Sequence, residues 1–190
     1  MADHGGVDLL DVLRERRSRP TLTGPGPDRD AVHELLGAAA SAPDHGRLRP
    51  WRVVVVEDAA RHGLGEAMAA AHAERDPAAG PVELARTRGK ALRAPVIVVV
   101  VAVPRPHPTV PVREQRDTAV CVAHGLVLAA HARGLGAMWR TGWFGDAPKV
   151  RAHLGLADGE DVVGFVYLGT PAGPPPPPRP AAPLPLTWLG

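Results

Sequence analysis

A run of ten apolar residues, Ala94–Val103, limits the possible folds of this 190-residue chain more than any other feature. The run is about half as long as the ~18 residues that a membrane-spanning helix needs, and Pro95 lies at its start. It is continuous and rich in valine, which is typical of a β-strand covered on both faces. Trp51–Val56 has the same character. We therefore expect a sheet with helices on both sides.

The spacing of apolar residues predicts helices between these strands, with Asp28 as an N-cap and Gly134 after the end of the longest helix. The predicted helices span about residues 7–17, 28–43, 59–73, 82–92 and 114–133, followed by a small helix capped by Asp146. The predicted strands span about residues 51–56, 95–103, 135–142 and 162–168. This order predicts a layered α/β or α+β sandwich. One domain would cover residues 1–171, and residues 172–190 would form an extended, proline-rich tail.

Charge and cysteine content exclude several classes of protein. The formal net charge is only +2, from 22 Lys+Arg and 20 Asp+Glu, so nucleic acid is not an expected partner. One cysteine cannot form an internal disulfide, and residues 1–6 carry no secretory signal pattern. We expect a cytoplasmic protein without a membrane partner.

The common catalytic motifs are missing from the sequence. It contains no P-loop, no G-x-S-x-G nucleophile elbow and no close histidine pair, and Gly134-Leu135-Gly136 precedes a strand where a dinucleotide fingerprint would open a helix. Cys121 lies within an apolar helix and is expected to be a small buried hydrophobe. We therefore expect no metal site and disfavour a hydrolase.

Polar clusters at the ends of regular elements are the remaining candidates for a binding site. They are Arg16-Arg17-Ser18, Asp44–Arg49 and Trp139-Arg140-Thr141-Gly142. Adjacent arginines and a hydroxyl suit a phosphate group, but cations at a solvated helix end would look the same. Likewise, Trp139 beside Arg140 fits either a ligand platform or a core tryptophan next to a surface cation.

The clusters belong to an ordered set of motifs by which the chain resembles the FMN-dependent nitroreductase family, in particular its short YdjA-type subgroup. The set covers about residues 7–171 and comprises Leu9-Leu10 to Ser18, Ala42-Pro43-Asp44-His45, Arg49-Pro50-Trp51-Arg52, Arg93-Ala94-Pro95, Gly134-Leu135-Gly136 to Gly142, and Val163-Gly164-Phe165 to Pro171.

The resemblance implies an α+β, three-layer α/β/α sandwich that works as a homodimer, with FMN at the subunit interface. The implied cofactor-binding residues are Arg16, Arg17, Ser18, Ser41, His45, Trp139, Arg140 and Thr141. Ser41 and His45 would reach the flavin from the partner subunit. Ser41 stands where the subgroup commonly has arginine, which predicts one cationic contact fewer.

The resemblance also implies the reaction. NADH or NADPH would reduce the flavin at N5, and a nitroaromatic, quinone or related electron-poor acceptor would then take the electrons in a ping-pong cycle. No side chain would act as the catalytic group, because the cofactor carries the chemistry. The alternative is a flavin-binding family member without reductase activity, such as a partner or flavin-storage protein.

Overall fold

The computed structural model describes residues 8–177, 180 and 183–189. The start of the first predicted helix, at residue 7, and positions 178–179, 181–182 and 190 of the predicted tail lie outside these residues. The helices are α1 Leu9–Glu15, α2 Arg29–Ala39, α3 Ala60–Arg75, α4 Pro81–Arg88, α5 Val112–Ala132 and α6 Pro148–His153. The strands are β1 Leu22–Thr23, β2 Trp51–Glu57, β3 Val96–Ala102, β4 Gly136–Arg140 and β5 Asp161–Pro171.

All pairings in the sheet are antiparallel. Strand β3 lies between β2 and β5, with Val54 opposite Val99 and Val99 opposite Phe165. Strand β5 also pairs with β4 over Gly136–Arg140 and with β1 near its own C-terminal end. The central strands are thus β3 and β5, while β2 and β4 lie outside them.

The side chains of β3 alternate between two apolar layers. Ile97, Val99 and Val101 pack in the layer that contains residues of α3 and α6, whereas Val98 and Val100 pack in the layer that contains residues of α2 and α5. Every residue of β3 is buried, as the continuous apolar run predicts. The architecture is therefore a three-layer α/β/α sandwich of the α+β class, which confirms the expected fold.

Local signals set several helix ends. Asp28 accepts a hydrogen bond from the Ala31 amide at 2.8 Å and caps α2, as predicted. Gly134 follows α5 with φ +72°, and the Leu135 amide donates to the Ala130 carbonyl at 2.9 Å, which closes the helix. Helix α1 ends at Glu15, so the Arg16–Ser18 triplet lies just beyond it.

Other boundaries differ from the expectation. The fourth predicted helix, residues 82–92, divides at Gly89 into α4 and a 3₁₀ turn, Gly89–Leu92. Strand β5 continues to Pro171 because its last two residues pair with β1. The sequence of residues 21–27 is typical of a loop, so it does not predict β1. Asp146 does not cap α6: Ala147 occupies that position, and Pro148 is the first helical residue.

The prediction of a buried Cys121 is wrong for the single chain. Helix α5 buries one side against the sheet, but Cys121 and Val120 lie on its exposed side. Within the part of the chain that the structure describes, no helix is long and apolar enough to cross a membrane.

Candidate functional site

Strand β4 lies beside the segment that carries the adjacent arginines. The Arg19 amide donates to the carbonyl of Ala137 at 2.9 Å, so the chain between α1 and β1 runs along β4. The segment that follows the predicted cluster at residues 16–18 therefore contacts the strand that ends in the predicted cluster at residues 139–141, although more than a hundred residues separate them in sequence. This backbone contact carries the arginines to the rim of the sheet.

A cavity of about 580 Å³ opens where this segment meets the end of α5; we call it the basic cleft. Its lining residues include Arg17, Arg19, His131, Gly134 and Leu135, together with Glu15. Nη1 of Arg17 donates to the backbone carbonyls of Arg14 at 2.6 Å and Arg16 at 3.1 Å. These bonds hold the Arg17 guanidinium half-buried at the cleft.

The positive charge of the basic cleft affects the pKa of His131. Burial lowers the pKa of His131 below its ordinary value, and the positive charges of Arg16 and Arg17 lower it further, opposed only in part by Glu15. An anion bound in the cleft would therefore offset these positive charges and raise the pKa of His131.

Consecutive residues of β4 point to opposite faces of the sheet. Trp139 packs with the layer of α2 and α5, and Arg140 lies over Tyr167, with its Cζ 5.6 Å from the ring centroid. Position 164 must be glycine for Trp139 to lie where it does, since a Cβ there would come within 2.1 Å of the indole Nε1. A single strand thus presents an indole on one face and a guanidinium on the other.

Trp139 and Arg140 each hold a buried nitrogen without a partner. Among the described residues, none accepts a hydrogen bond from Nε1 of Trp139 or from Nε of Arg140. Both groups can only donate, and an unsatisfied buried donor costs about 1–3 kcal/mol. These two donors are candidate partners for acceptor atoms of a ligand.

A second cavity, of about 340 Å³, lies on the Arg140 side of β4; we call it the aromatic cleft. Besides the predicted residues Trp139, Arg140 and Thr141, its lining is made of basic and large apolar side chains: Lys90, Arg93, Met68, Met138, Phe144, Phe165 and Tyr167. Burial, and then the charge of Arg93, lowers the pKa of Lys90. Burial raises the pKa of Tyr167.

Ser41 and His45 occupy different surroundings. The Ser41 hydroxyl donates to the Ala38 carbonyl at 2.8 Å and lines a third cavity with Trp139, Cys121 and His124. His45 lies outside the basic and aromatic clefts, with Nδ1 2.7 Å from the Glu114 carboxylate, and both side chains are exposed. Within one chain, the structure brings Ser41 near Trp139 but leaves His45 apart.

Sequence reasoning assigned no role in the site to Arg19, Lys90 or Arg93, although Arg93 belongs to the Arg93-Ala94-Pro95 motif. Arg19 directly follows the predicted triplet and could have been included with it, whereas the places of Lys90 and Arg93 depend on contacts between distant elements. No group of three His, Cys, Asp or Glu side chains in the described ranges is arranged to hold a metal ion.

Comparison with known proteins identifies the family. The family model described as "Nitroreductase family" matches residues 13–170. The chain belongs to the nitroreductase family. Its relatives in this family include the Escherichia coli K12 protein named "Putative NAD(P)H nitroreductase YdjA", which is 36% identical over 167 residues covering 87% of this chain and 89% of YdjA.

Solved structures of nitroreductase-like proteins share the fold. A nitroreductase-like family protein from Bacillus cereus superposes with a TM-score of 0.79 at 26% identity, over 96% of this chain and 94% of that one. A Bacteroides fragilis nitroreductase with bound FMN gives a TM-score of 0.75 at 23% identity, over 97% of this chain and all of that one. At 23% identity, that second likeness concerns the fold alone.

Proposed function

We propose that this nitroreductase-family chain is an FMN-dependent oxidoreductase that uses NADH or NADPH to reduce nitroaromatic, quinone or related electron-poor acceptors. The observation that carries the proposal is the pair of buried donors on Trp139 and Arg140, unpartnered among the described residues, near one end of β4, with a cleft lined by arginine near its other end. The name of YdjA and the FMN bound in the Bacteroides fragilis neighbour support the same conclusion.

The residues of this chain fit FMN by their chemistry. FMN combines a phosphate with a ring system rich in acceptor atoms. The guanidinium groups beside β4 suit the phosphate, because arginine donates two parallel hydrogen bonds to an oxyanion. The orphaned nitrogens of Trp139 and Arg140 suit carbonyl and ring-nitrogen acceptors.

We assign the roles from this fit. Arg16, Arg17 and Ser18 would bind the phosphate and the chain attached to it, and Trp139, Arg140 and Thr141 would line the ring. When bound, FMN would supply the redox chemistry between the nicotinamide nucleotide and the acceptor, and the protein would supply binding, orientation and charge. Arg140 would hold positive charge near the ring, where it would favour the reduced form.

Completion of the site by a second subunit is part of the proposal. Helix α5 exposes Val112, Val120 and Cys121, an apolar surface that would be buried between two copies of the chain. His45, remote from the two clefts beside β4 in its own chain, would approach the flavin of the partner together with Ser41. Size-exclusion chromatography with light scattering should give a mass of about twice 19.9 kDa.

The decisive experiment uses purified protein loaded with FMN. We expect a yellow protein whose flavin absorbance bleaches anaerobically when NADH or NADPH is added, and recovers when a nitroaromatic or quinone is supplied. Protein that cannot be loaded with FMN would contradict the whole proposal.

The second candidate is a flavin-binding protein without reductase activity. The observation in its favour is Ser41, whose hydroxyl is already bonded to the Ala38 carbonyl and brings no charge to the site. Flavin that binds but stays oxidised under an excess of both nicotinamide nucleotides would select this candidate.

A further inference from the structure

After β5 the chain turns and passes over the basic cleft. Gly173 adopts φ +74°, which turns the backbone, and four consecutive prolines follow at positions 174–177. Pro175 and Pro176 line the basic cleft together with Arg17 and Arg19. We call residues 173–177 the proline strap. The strap is therefore one wall of the cleft to which the proposed function assigns the phosphate of FMN.

Both ends of the proline strap are hydrogen-bonded to arginine. Nη2 of Arg19 donates to the Gly173 carbonyl at 3.2 Å, and Nε of Arg17 donates to the Pro177 carbonyl at 3.5 Å. Consecutive prolines favour the extended polyproline II conformation, which rises about 3.1 Å per residue, so four steps span about 12 Å. The strap thus reaches from one arginine to the other, and its middle prolines lie along the cleft between them.

The contacts of Arg17 leave neither edge of its guanidinium complete for a phosphate. A bidentate bond uses two neighbouring nitrogens, either Nε with Nη2 or Nη1 with Nη2. Nη1 already donates to the carbonyls of Arg14 at 2.6 Å and Arg16 at 3.1 Å, and Nε donates to Pro177. The bond to Pro177 is the longest of the three and therefore the weakest. Its release would free the edge formed by Nε and Nη2.

The chemistry of proline makes the strap a weak competitor for a phosphate. A proline residue has a backbone carbonyl but no N–H, so positions 174–177 offer the cleft acceptors and no donors. The ionised phosphate of FMN also presents acceptor oxygens, and it carries a full negative charge that a carbonyl lacks. Hydrogen bonds between two ionised groups are the stronger kind. The strap and the phosphate therefore use the same arginine donors, and the phosphate binds them better.

We propose that the proline strap is an autoinhibitory contact, which holds Arg17 and Arg19 until the phosphate of FMN displaces it. The inference rests on the proposed function for the assignment of the phosphate to this cleft. It adds a regulatory step, because the tail of the chain itself limits the rate at which the flavin loads. A ligand with the same ring and no phosphate does not need this step.

Association kinetics test the inference without turnover. Flavin-free, full-length protein is mixed with FMN in a stopped-flow instrument, and quenching of flavin fluorescence reports binding. Pro175→Gly with Pro176→Gly keeps every carbonyl of the strap but loosens it, because glycine has more conformational freedom to lose when the strap closes. At two positions this effect should raise the association rate of FMN about fivefold.

The tail offers a matched control for this variant. Pro183→Gly with Pro185→Gly makes the same change at exposed positions of the tail outside the strap. We expect its association rate with FMN to stay within about twofold of that of the unchanged protein, because such surface changes have small effects. A difference between the two double variants therefore reports the strap and not a general loosening of the tail.

A second ligand and a second variant make the test specific. Riboflavin has the ring of FMN but no phosphate, so loosening the strap should leave its association rate unchanged. Gly173→Val places a β-branched residue at φ +74°, a backbone conformation that valine rarely adopts. It should therefore disfavour the turn into the strap and accelerate FMN association as well. Residue 173 is not among the lining residues of the cleft, so this variant leaves the cleft itself unaltered.

Three results would overturn the inference: FMN association that neither strap variant accelerates, equal acceleration of FMN and riboflavin, or weaker FMN binding by the strap variants. The last result would make the strap a clasp that retains the bound phosphate. A flavin-free protein that takes up no FMN, with or without the substitutions, would contradict the proposed function and the inference with it. Normal FMN uptake that does not respond to the strap would contradict the inference alone.

Discussion

Strands β3 and β4 belong to the same antiparallel sheet, but β3 forms the core and β4 carries residues of the candidate site. Every residue of β3 is buried, and its side chains fill the two apolar layers. Strand β4 has only two buried residues, Gly136 and Ala137, and it carries the indole and guanidinium with unpartnered nitrogens. Residues that stabilise the fold are therefore concentrated in the centre of the sheet, and residues suited to binding lie at its rim.

The difference follows from the neighbours of each strand. Strand β3 is paired along both edges, by β2 and β5, so it has no room for a ligand. Strand β4 is paired by β5 on one edge and receives the Arg19 amide, which brings basic side chains instead of another apolar strand. Substitutions in the two strands should therefore have separable effects.

The largest expected effect is on stability at the centre. Val98→Asp places an unpaired carboxylate at a position with 0% exposure, so we expect a loss of more than about 4 kcal/mol and no cooperative thermal transition in circular dichroism. The matched control is Val55→Asp in β2, where valine is 39% exposed and the carboxylate stays hydrated. Equal destabilisation by both changes would contradict the contrast between centre and rim.

The next effect is on flavin binding at the rim. Arg16→Ala with Arg17→Ala should weaken FMN binding at least about a hundredfold, because two charged hydrogen-bonding groups are lost. The free energy of unfolding of the apoprotein should fall by less than about 1 kcal/mol. Fluorescence titration with FMN and urea unfolding measure the two quantities.

Arg14→Ala is the control for this pair, since Arg14 is an exposed cation on α1 whose contact with Asp11 is 3.6 Å long. It should bind FMN like the unchanged protein. Flavin retained at full affinity by the double variant would refute the phosphate assignment.

The smallest expected effect is on the pKa of His131. Burial and the charges of Arg16 and Arg17 lower the pKa of His131, so it is neutral at pH 7. A phosphate bound by these arginines brings negative charge and should raise the pKa of His131. NMR titration of the His131 ring with and without FMN measures the shift, and a pKa that falls or stays fixed on FMN binding would place the phosphate elsewhere.

Local signals made the centre of the sheet predictable. The valine runs of β2 and β3, the Asp28 cap and the Gly134 helix end each act within a few residues, so the sequence was sufficient for them. Strand β1 was missed because it consists of two residues, Leu22–Thr23, that become a strand only by pairing with residues 170–171.

The candidate site was predictable in part, for the same reason. Motifs indicated Arg16–Ser18 and Trp139–Thr141, and the contact between Arg19 and Ala137 explains why the first segment is followed by a stretch that runs along β4. Lys90 looked like an ordinary surface charge, and Arg93 was noted only as part of the Arg93-Ala94-Pro95 motif, because the turn at Gly89 that brings both side chains to the aromatic cleft has no distinctive pattern. Cys121 was misjudged because periodicity cannot tell which side of a helix faces the core when both sides are apolar.

Positions 164 on β5 and 139 on β4 constrain each other's side-chain size, because the two side chains compete for the same space. The indole of Trp139 fills the volume that any other residue at 164 would require. A mutation to a larger residue at position 164 is therefore tolerated only together with a mutation to a smaller residue at position 139. Whichever substitution comes first, the single variant is impaired. In an alignment of relatives, these two columns should covary in size, with glycine at one accompanying a bulky ring at the other.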